Sequence, residues 1–166
     1  LEGLSGEQRV IAVDYPGYGE SEPLPDASRE DFAASVLAAL DALEIDRAHV
    51  CGLSLGGVVA LAMHAAAPER CISLILADSF AVHPDGHAIH DRSLAAAANL
   101  GMRGLAEARV DALLGAAASA GVRAEVIDTM SRIDPAAYAL GARAVWLADQ
   151  RERAAAVRCP TLILCG

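Results

Sequence analysis

Lysine is absent from this sequence; all 13 basic residues are arginine. That excludes Schiff-base chemistry on a lysine and the phosphate-binding lysine of a P-loop. No apolar stretch is long enough for a transmembrane helix, and no basic-then-apolar leader opens the chain, so the expected setting is the cytoplasm. Positive charge is scarce: 22 acidic residues give a formal net charge of −9. Such a balance argues against nucleic acid or an anionic membrane surface as partner. Cysteines are few (Cys51, Cys71, Cys159 and Cys165) and none forms a C-x-x-C pair. Each lies in or beside a strand-like run, so buried free thiols are expected rather than disulfides or metal ligands. What is abundant is alanine, which supplies much of the 54% apolar content. A length of 166 residues suits one domain with a substantial core.

The feature with most chemical content is Gly52-Leu53-Ser54-Leu55-Gly56-Gly57. It follows the strand-like run Ala48-His49-Val50-Cys51 and opens an Ala-rich helical stretch, Leu55 to Ala67, that Pro68 stops. G-x-S-x-G between a strand and a helix is the pattern of a nucleophile elbow. A sharp reversal brings backbone against backbone, so side chains at positions 52 and 56 are expected to collide there. The strained turn would lift the Ser54 hydroxyl clear of the sheet, with φ above zero. It would also aim the first N–H groups of the helix at the same space, where they stabilise an oxyanion.

Other strand-like runs are Arg9-Val10-Ile11-Ala12-Val13-Asp14, Cys71 to Asp78, and Pro160 to Gly166. Residues 1–6 read as the end of a helix. Ser28 opens another, with Asp31 in capping-box spacing and Phe32, Val36, Leu40 and Leu43 on one face. Strands alternating with helices imply a parallel sheet with right-handed crossovers, and near-continuous apolar runs imply that both sheet faces are covered. Between residues 80 and 150 the strand-like runs stop. Short helices broken at Gly86, Gly101, Gly104, Gly115, Gly121 and Pro135 are expected there.

Together these segments resemble the α/β-hydrolase family in order and spacing. Asp14-x-x-Gly17-x-Gly19-x-Ser21 is similar to the turn after the family's fourth strand, Gly52 to Gly56 to the elbow after the fifth, Pro68-Glu69-Arg70 with Cys71 to Ala77 to the sixth, and Pro160 to Gly166 to the seventh. Leu43 to Ser54 and Asp134-Pro135-x-x-Tyr138 are worded like 3-oxoadipate enol-lactonases and their esterase relatives. The resemblance implies an incomplete α/β-hydrolase core over 1–79, a helical cap over 80–150 and a return to the core over 151–166. Met102, Met130, Tyr138 and Trp146 would pack that cap or line a pocket. In the family order a third strand lies between the fourth and fifth. It has no counterpart in this sequence, so segments 9–14 and 48–53 should be separated by a gap or paired abnormally.

The resemblance further implies a hydrolase of small carboxylic esters or lactones. Ser54 would be the nucleophile, the Leu55 N–H one oxyanion donor, and Gly52, Gly56 and Gly57 the elbow glycines. No metal or organic cofactor is called for, and the partner is a small-molecule acyl substrate. A serine at 54 speaks against the family branches with aspartate or cysteine nucleophiles. The family's acid and histidine follow its seventh strand, so the 166 residues alone are expected to be inactive. Internal substitutes would be Asp78 as acid and His83, His87 or His90 as base. The plainer reading has Asp78 and Asp14 bracing loops, the three histidines on a loop, and His49 and His64 in structural roles. Two alternatives remain open. Gly52-x-Ser54-x-x-Gly57 with Asp78 resembles a dinucleotide fingerprint whose middle glycine is replaced. The chain could also be a non-catalytic binding protein on a hydrolase scaffold.

Overall fold

A computed structural model describes Gly6 and residues 8–166. Apart from Gly6, the helix end expected over residues 1–6 lies outside the described residues. Helix α1 (Arg29–Ala42) starts as the sequence requires: the Asp31 N–H donates to Ser28 Oγ at 3.2 Å, and the Ser28 N–H donates to Asp31 Oδ2 at 2.8 Å. The reciprocal pair satisfies two amide donors that the first turn leaves unpaired. Phe32 and Leu40 are buried, but Leu43 falls on the helix C-cap and is exposed.

Strand β1 (Ala48–Leu53) leads into α2 (Leu55–Ala66), a short 3₁₀ turn (Pro68–Arg70) and β2 (Cys71–Ala77). The helices α3 (Gly86–Leu113), α4 (Ala120–Ser131), α5 (Pro135–Trp146) and α6 (Arg151–Ala156) follow, and β3 (Thr161–Leu164) is the last strand. The sheet has the order β1-β2-β3 and is parallel throughout, with Cys51 opposite Ile75 and Ile75 opposite Leu162.

Helix α2 is the centre of the molecule, with every residue from Gly57 to His64 buried. Val59 and Met63 pack in the core with Phe32 of α1 and Leu74 of β2, all at 2% exposure or less, while Val58 packs on another side with Val145 and Ala148. Tyr15 stacks on Phe32 with ring centroids 5.2 Å apart, which ties the loop after residue 14 to α1. At the far side, the Gln150 side chain is buried and donates from Nε2 to the Val58 carbonyl at 2.9 Å. Its backbone N–H donates to the Ala81 carbonyl at 2.8 Å, so this residue fastens the end of the helical stretch to the chain leaving β2.

Four expectations are corrected. Residues 9–14 form no strand: they pair with no strand among the described residues, and an apolar groove of about 160 Å³ separates them from β1. Of the two arrangements expected there, the gap is the one observed. Second, the sheet is not covered on both faces. The face carrying Val50 and Leu74 packs on the helices, whereas His49, Cys51, Leu53 and Leu162 on the other face are exposed. Third, for the same reason only Cys71 is buried; Cys51 and Cys165 are exposed, and all four thiols are free. Fourth, the helices of 80–150 are less broken than the glycines suggest. Gly104 and Gly121 sit inside α3 and α4, and only Gly101, at φ 66°, kinks α3. Helix propensity is a weak prior that neighbouring good formers override. Pro135 does end one stretch, opening α5 behind an Asp134 cap whose Oδ1 accepts the N–H groups of Ala136 and Ala137 at 2.8 and 3.1 Å.

Candidate active site

Ser54 stands between the end of β1 and the first turn of α2 with φ 53° and ψ −113°. This is a conformation that residues with a Cβ rarely adopt. Four hydrogen bonds hold it. Its N–H donates to the Ala77 carbonyl at 2.9 Å, and its carbonyl accepts from the Gly57 N–H at 3.0 Å, the Val58 N–H at 3.4 Å and Ser79 Oγ at 2.9 Å. The turn is thus fixed on the neighbouring strand β2 and the residues just after it. The side chain is free by contrast: Ser54 is exposed, and its hydroxyl makes no hydrogen bond among the described residues. The Leu55 N–H, first in the helix, is also without a partner there. An unpaired N–H at a helix start, beside a free hydroxyl, is a place where negative charge is favoured.

Sterics pick out two glycines of the turn, and one differs from expectation. A Cβ on Gly52 would overlap the Gly56 carbonyl, and one on Gly57 would lie 2.5 Å from Ser79 Oγ. A Cβ on Gly56 would meet only the Tyr15 hydroxyl, at 3.6 Å, an ordinary contact. The collision expected at position 56 is therefore absent, and position 57 has it instead. The sequence hides this because the clash partner, Ser79, belongs to a different strand end.

The loop of residues 14–21 and the first half of α5 form the next layer. Asp14 Oδ2 accepts the Glu20 N–H at 3.3 Å and the Asp14 carbonyl accepts from Ser21 Oγ at 2.9 Å, closing the loop. The Tyr18 hydroxyl donates to the Ala137 carbonyl at 3.0 Å. A Cβ on Gly141 would overlap that hydroxyl and come within 3.4 Å of the Leu55 side chain, so a larger residue there would displace the Tyr18 side chain. Burial, reinforced by the nearby Tyr138, pushes the Tyr18 phenol up to about 12, and burial raises Tyr15 as well. Neither phenol is a base near neutral pH.

None of the five histidines bonds Ser54. His49 Nδ1 pairs with Ser73 Oγ at 2.7 Å on the exposed sheet face, and His64 is buried in α2. His83 Nδ1 accepts the Asp85 N–H at 3.1 Å, and its ring sits edge-on to Phe80 and Trp146. His87 and His90 lie on α3 and not on the loop expected for them, because the helix already begins at Gly86, and His90 is bonded to Asp91. Asp78 has φ 43° and accepts the Gly166 N–H on Oδ1 at 2.8 Å, joining the ends of β2 and β3. Met102 is buried, and Met130 and Tyr138 are half-buried, Tyr138 receiving a hydrogen bond from Arg109 at 3.2 Å. Phe80 and Trp146 stack at 5.6 Å beside Val58, Val145 and Leu55. Phe80, Ser79 and Gln150 were not legible in the sequence, because their roles come from contacts with distant residues. Among the described residues, no group of three or more His, Cys, Asp or Glu is placed to hold a metal ion. No described helix is long and apolar enough to cross a membrane.

The chain belongs to the α/β-hydrolase fold family, whose profile matches residues 1–135. Among curated proteins it is 30% identical to 3-oxoadipate enol-lactonase 1 of Acinetobacter baylyi over 180 residues, covering 100% of this chain and 63% of that protein. Among solved structures it resembles the enol-lactonase from Burkholderia xenovorans LB400, with a TM-score of 0.80, 28% identity, and coverage of 98% of this chain and 64% of that one. A thermophilic esterase from Thermogutta terrifontis gives a TM-score of 0.83, 28% identity, and coverage of 99% and 64%. The chain therefore spans just under two thirds of the length of these relatives.

Proposed function

We propose that these residues are the nucleophile-bearing part of a serine hydrolase acting on small carboxylic esters or lactones. The observation that carries this reading is Ser54 itself: a positive-φ serine on a strand-to-helix turn, hydroxyl free, next to the unpaired Leu55 N–H. Ser54 Oγ attacks the acyl carbon, and the carbonyl oxygen takes up negative charge beside the Leu55 N–H. Gly52, Gly56 and Gly57 form the elbow, and the helices between residues 86 and 146 act as its cap. The family likeness and the enol-lactonase and esterase names of the relatives support this substrate class.

Attack by a serine requires a base to take its proton, and no described histidine is bonded to Ser54. The 166 residues alone should therefore hydrolyse p-nitrophenyl butyrate about 10⁴-fold or more slowly than a polypeptide that also supplies an acid and a histidine to this turn. The test is turnover by both forms, each with and without Ser54→Ala. Hydrolysis by the longer form that disappears with Ser54→Ala supports the proposal; hydrolysis that survives it rejects Ser54 as nucleophile. Saturable quenching of NADH fluorescence would favour the dinucleotide alternative instead. The side chain of Ser54 stands where that motif needs a glycine for pyrophosphate to approach.

A further inference from the structure

Ser54 and Leu55 share one trans peptide plane, whose carbonyl and N–H point in opposite directions. The carbonyl oxygen, on Ser54, accepts the Gly57 and Val58 N–H groups of α2 at 3.0 and 3.4 Å, and Ser79 Oγ at 2.9 Å. Ser79 is the donor that comes from outside the helix. The N–H, on Leu55, faces the other way and has no partner among the described residues. Whatever fixes the carbonyl therefore fixes the direction of this N–H. The approach of Ser79 is close: a Cβ on Gly57 would lie 2.5 Å from both Cβ and Oγ of Ser79. The hydroxyl reaches the carbonyl because the chain turns just after β2, where Asp78 has φ 43° in the left-handed region. The residues on either side of Asp78 then hold Ser54 at both ends. The Ala77 carbonyl takes the Ser54 N–H at 2.9 Å, and Ser79 holds the Ser54 carbonyl. Asp78 is itself anchored to the end of β3, its N–H donating to the Leu164 carbonyl at 2.9 Å and its Oδ1 accepting the Gly166 N–H at 2.8 Å.

We infer that Ser79 is a positioning residue for the oxyanion donor, acting through the Ser54–Leu55 peptide; this rests on the hydrolase reading proposed above. Ser79 acts on the peptide and not on the reacting atoms, and its bond does two things. First, it aims the plane. The Gly57 and Val58 donors move with α2 and cannot stop the first turn from tilting. Ser79 belongs to the chain after β2, so it holds the plane relative to the sheet. Second, it polarises the plane. A donor on an amide oxygen draws charge from the amide nitrogen, and the N–H becomes a stronger donor in its turn. A stronger N–H gains most when its acceptor carries charge, which is the case in the transition state and not in the bound ester. The effect therefore falls on kcat. Its size is that of one neutral hydrogen bond, about threefold to tenfold in rate, below the cost of about a hundredfold or more for losing an oxyanion donor itself.

The test uses the longer polypeptide that also supplies an acid and a histidine, with p-nitrophenyl butyrate as substrate, and compares Ser79→Thr with Ser79→Val. The two side chains have nearly the same shape, and only threonine keeps the hydroxyl donor. A steric cost against Gly57 is thus common to both, and urea unfolding of each checks that it folds. Ser79→Thr should keep kcat within about twofold of the parent, while Ser79→Val should lower kcat and kcat/KM together by about threefold to tenfold. A hydroxyl with a merely structural role would move the unfolding midpoint and leave kcat of the folded enzyme unchanged. Equal kcat for Ser79→Thr and Ser79→Val overturns the inference, as does a loss confined to KM. If the larger side chains prevent folding, Ser79→Ala decides the question against the parent: a loss of the same size in kcat supports the inference, and an unchanged kcat overturns it. Hydrolysis by the parent that survives Ser54→Ala is a different failure, because it removes the hydrolase reading and this inference with it.

Discussion

Replacing Ser54 by glycine should stabilise the protein, whereas replacing it by alanine should not. The reason is the backbone at Ser54, φ 53° and ψ −113°, which penalises any residue with a Cβ. Strain of this kind costs about 1–3 kcal/mol. The serine hydroxyl makes no hydrogen bond among the described residues, so its removal forfeits none of those. Glycine enlarges the conformational freedom of the unfolded chain, which offsets about 0.5–1 kcal/mol of the relief. The net gain for Ser54→Gly is then about 0.5–2 kcal/mol, or roughly 1–8 °C in Tm for a domain of this size. Ser54→Ala keeps the Cβ and hence the strain, and at an exposed position should stay within about 0.5 kcal/mol of the parent. The assay is urea unfolding of the three proteins side by side, with a thermal scan as a second reading. If Ser54→Gly is no more stable than Ser54→Ala, the turn stores no strain and the argument from its geometry fails.

Two further expectations concern the same layers. Gly52→Ala and Gly57→Ala place a methyl on Gly56 backbone and on Ser79 respectively, and each should destabilise by about 1–3 kcal/mol or more. Gly56→Ala meets only ordinary contact in a helical residue and should stabilise by about 0.5–1 kcal/mol; equal losses in denaturant at all three positions would refute the steric assignment. Tyr18 gives an alkaline signature. Its folded pKa is raised from 10.0 to about 12, so folding retains the proton that the unfolded chain releases first. The stability it contributes is complete below pH 10 and is lost as the pH rises toward 12. Tyr18→Phe should flatten that decline in a pH series of unfolding curves; an unchanged slope would show that the phenol does not titrate differently in the two states.

The parts of the fold that were legible in the sequence are those whose causes are local. Ser28 and Asp31 are three residues apart, and their reciprocal bonds start α1 regardless of what surrounds them. Asp134 and Pro135 start α5 in the same way. The elbow was readable because its tightest contact, Gly52 against Gly56, lies within five residues. What could not be read is non-local. The clash partner of Gly57 is Ser79, the partner of Gln150 is Val58, and the aromatic stack on Phe80 comes from Trp146. Nothing in the immediate sequence of any of these residues encodes its partner.

Residues 9–14 show the deeper limit. Val10-Ile11-Ala12-Val13 has the composition of a buried strand, as β2 does, yet only β2 is one. Composition reports the surroundings a segment suits, whereas a strand exists only through hydrogen bonds to a neighbour. β2 has such neighbours on both edges, and residues 9–14 face an open groove. The same distinction accounts for the exposed apolar residues of the sheet. Leu53 at 64% and Ile163 at 71% are residues that suit a covered sheet, standing on surfaces that nothing here covers. Contiguous exposed apolar surface on a folded chain marks a place of association.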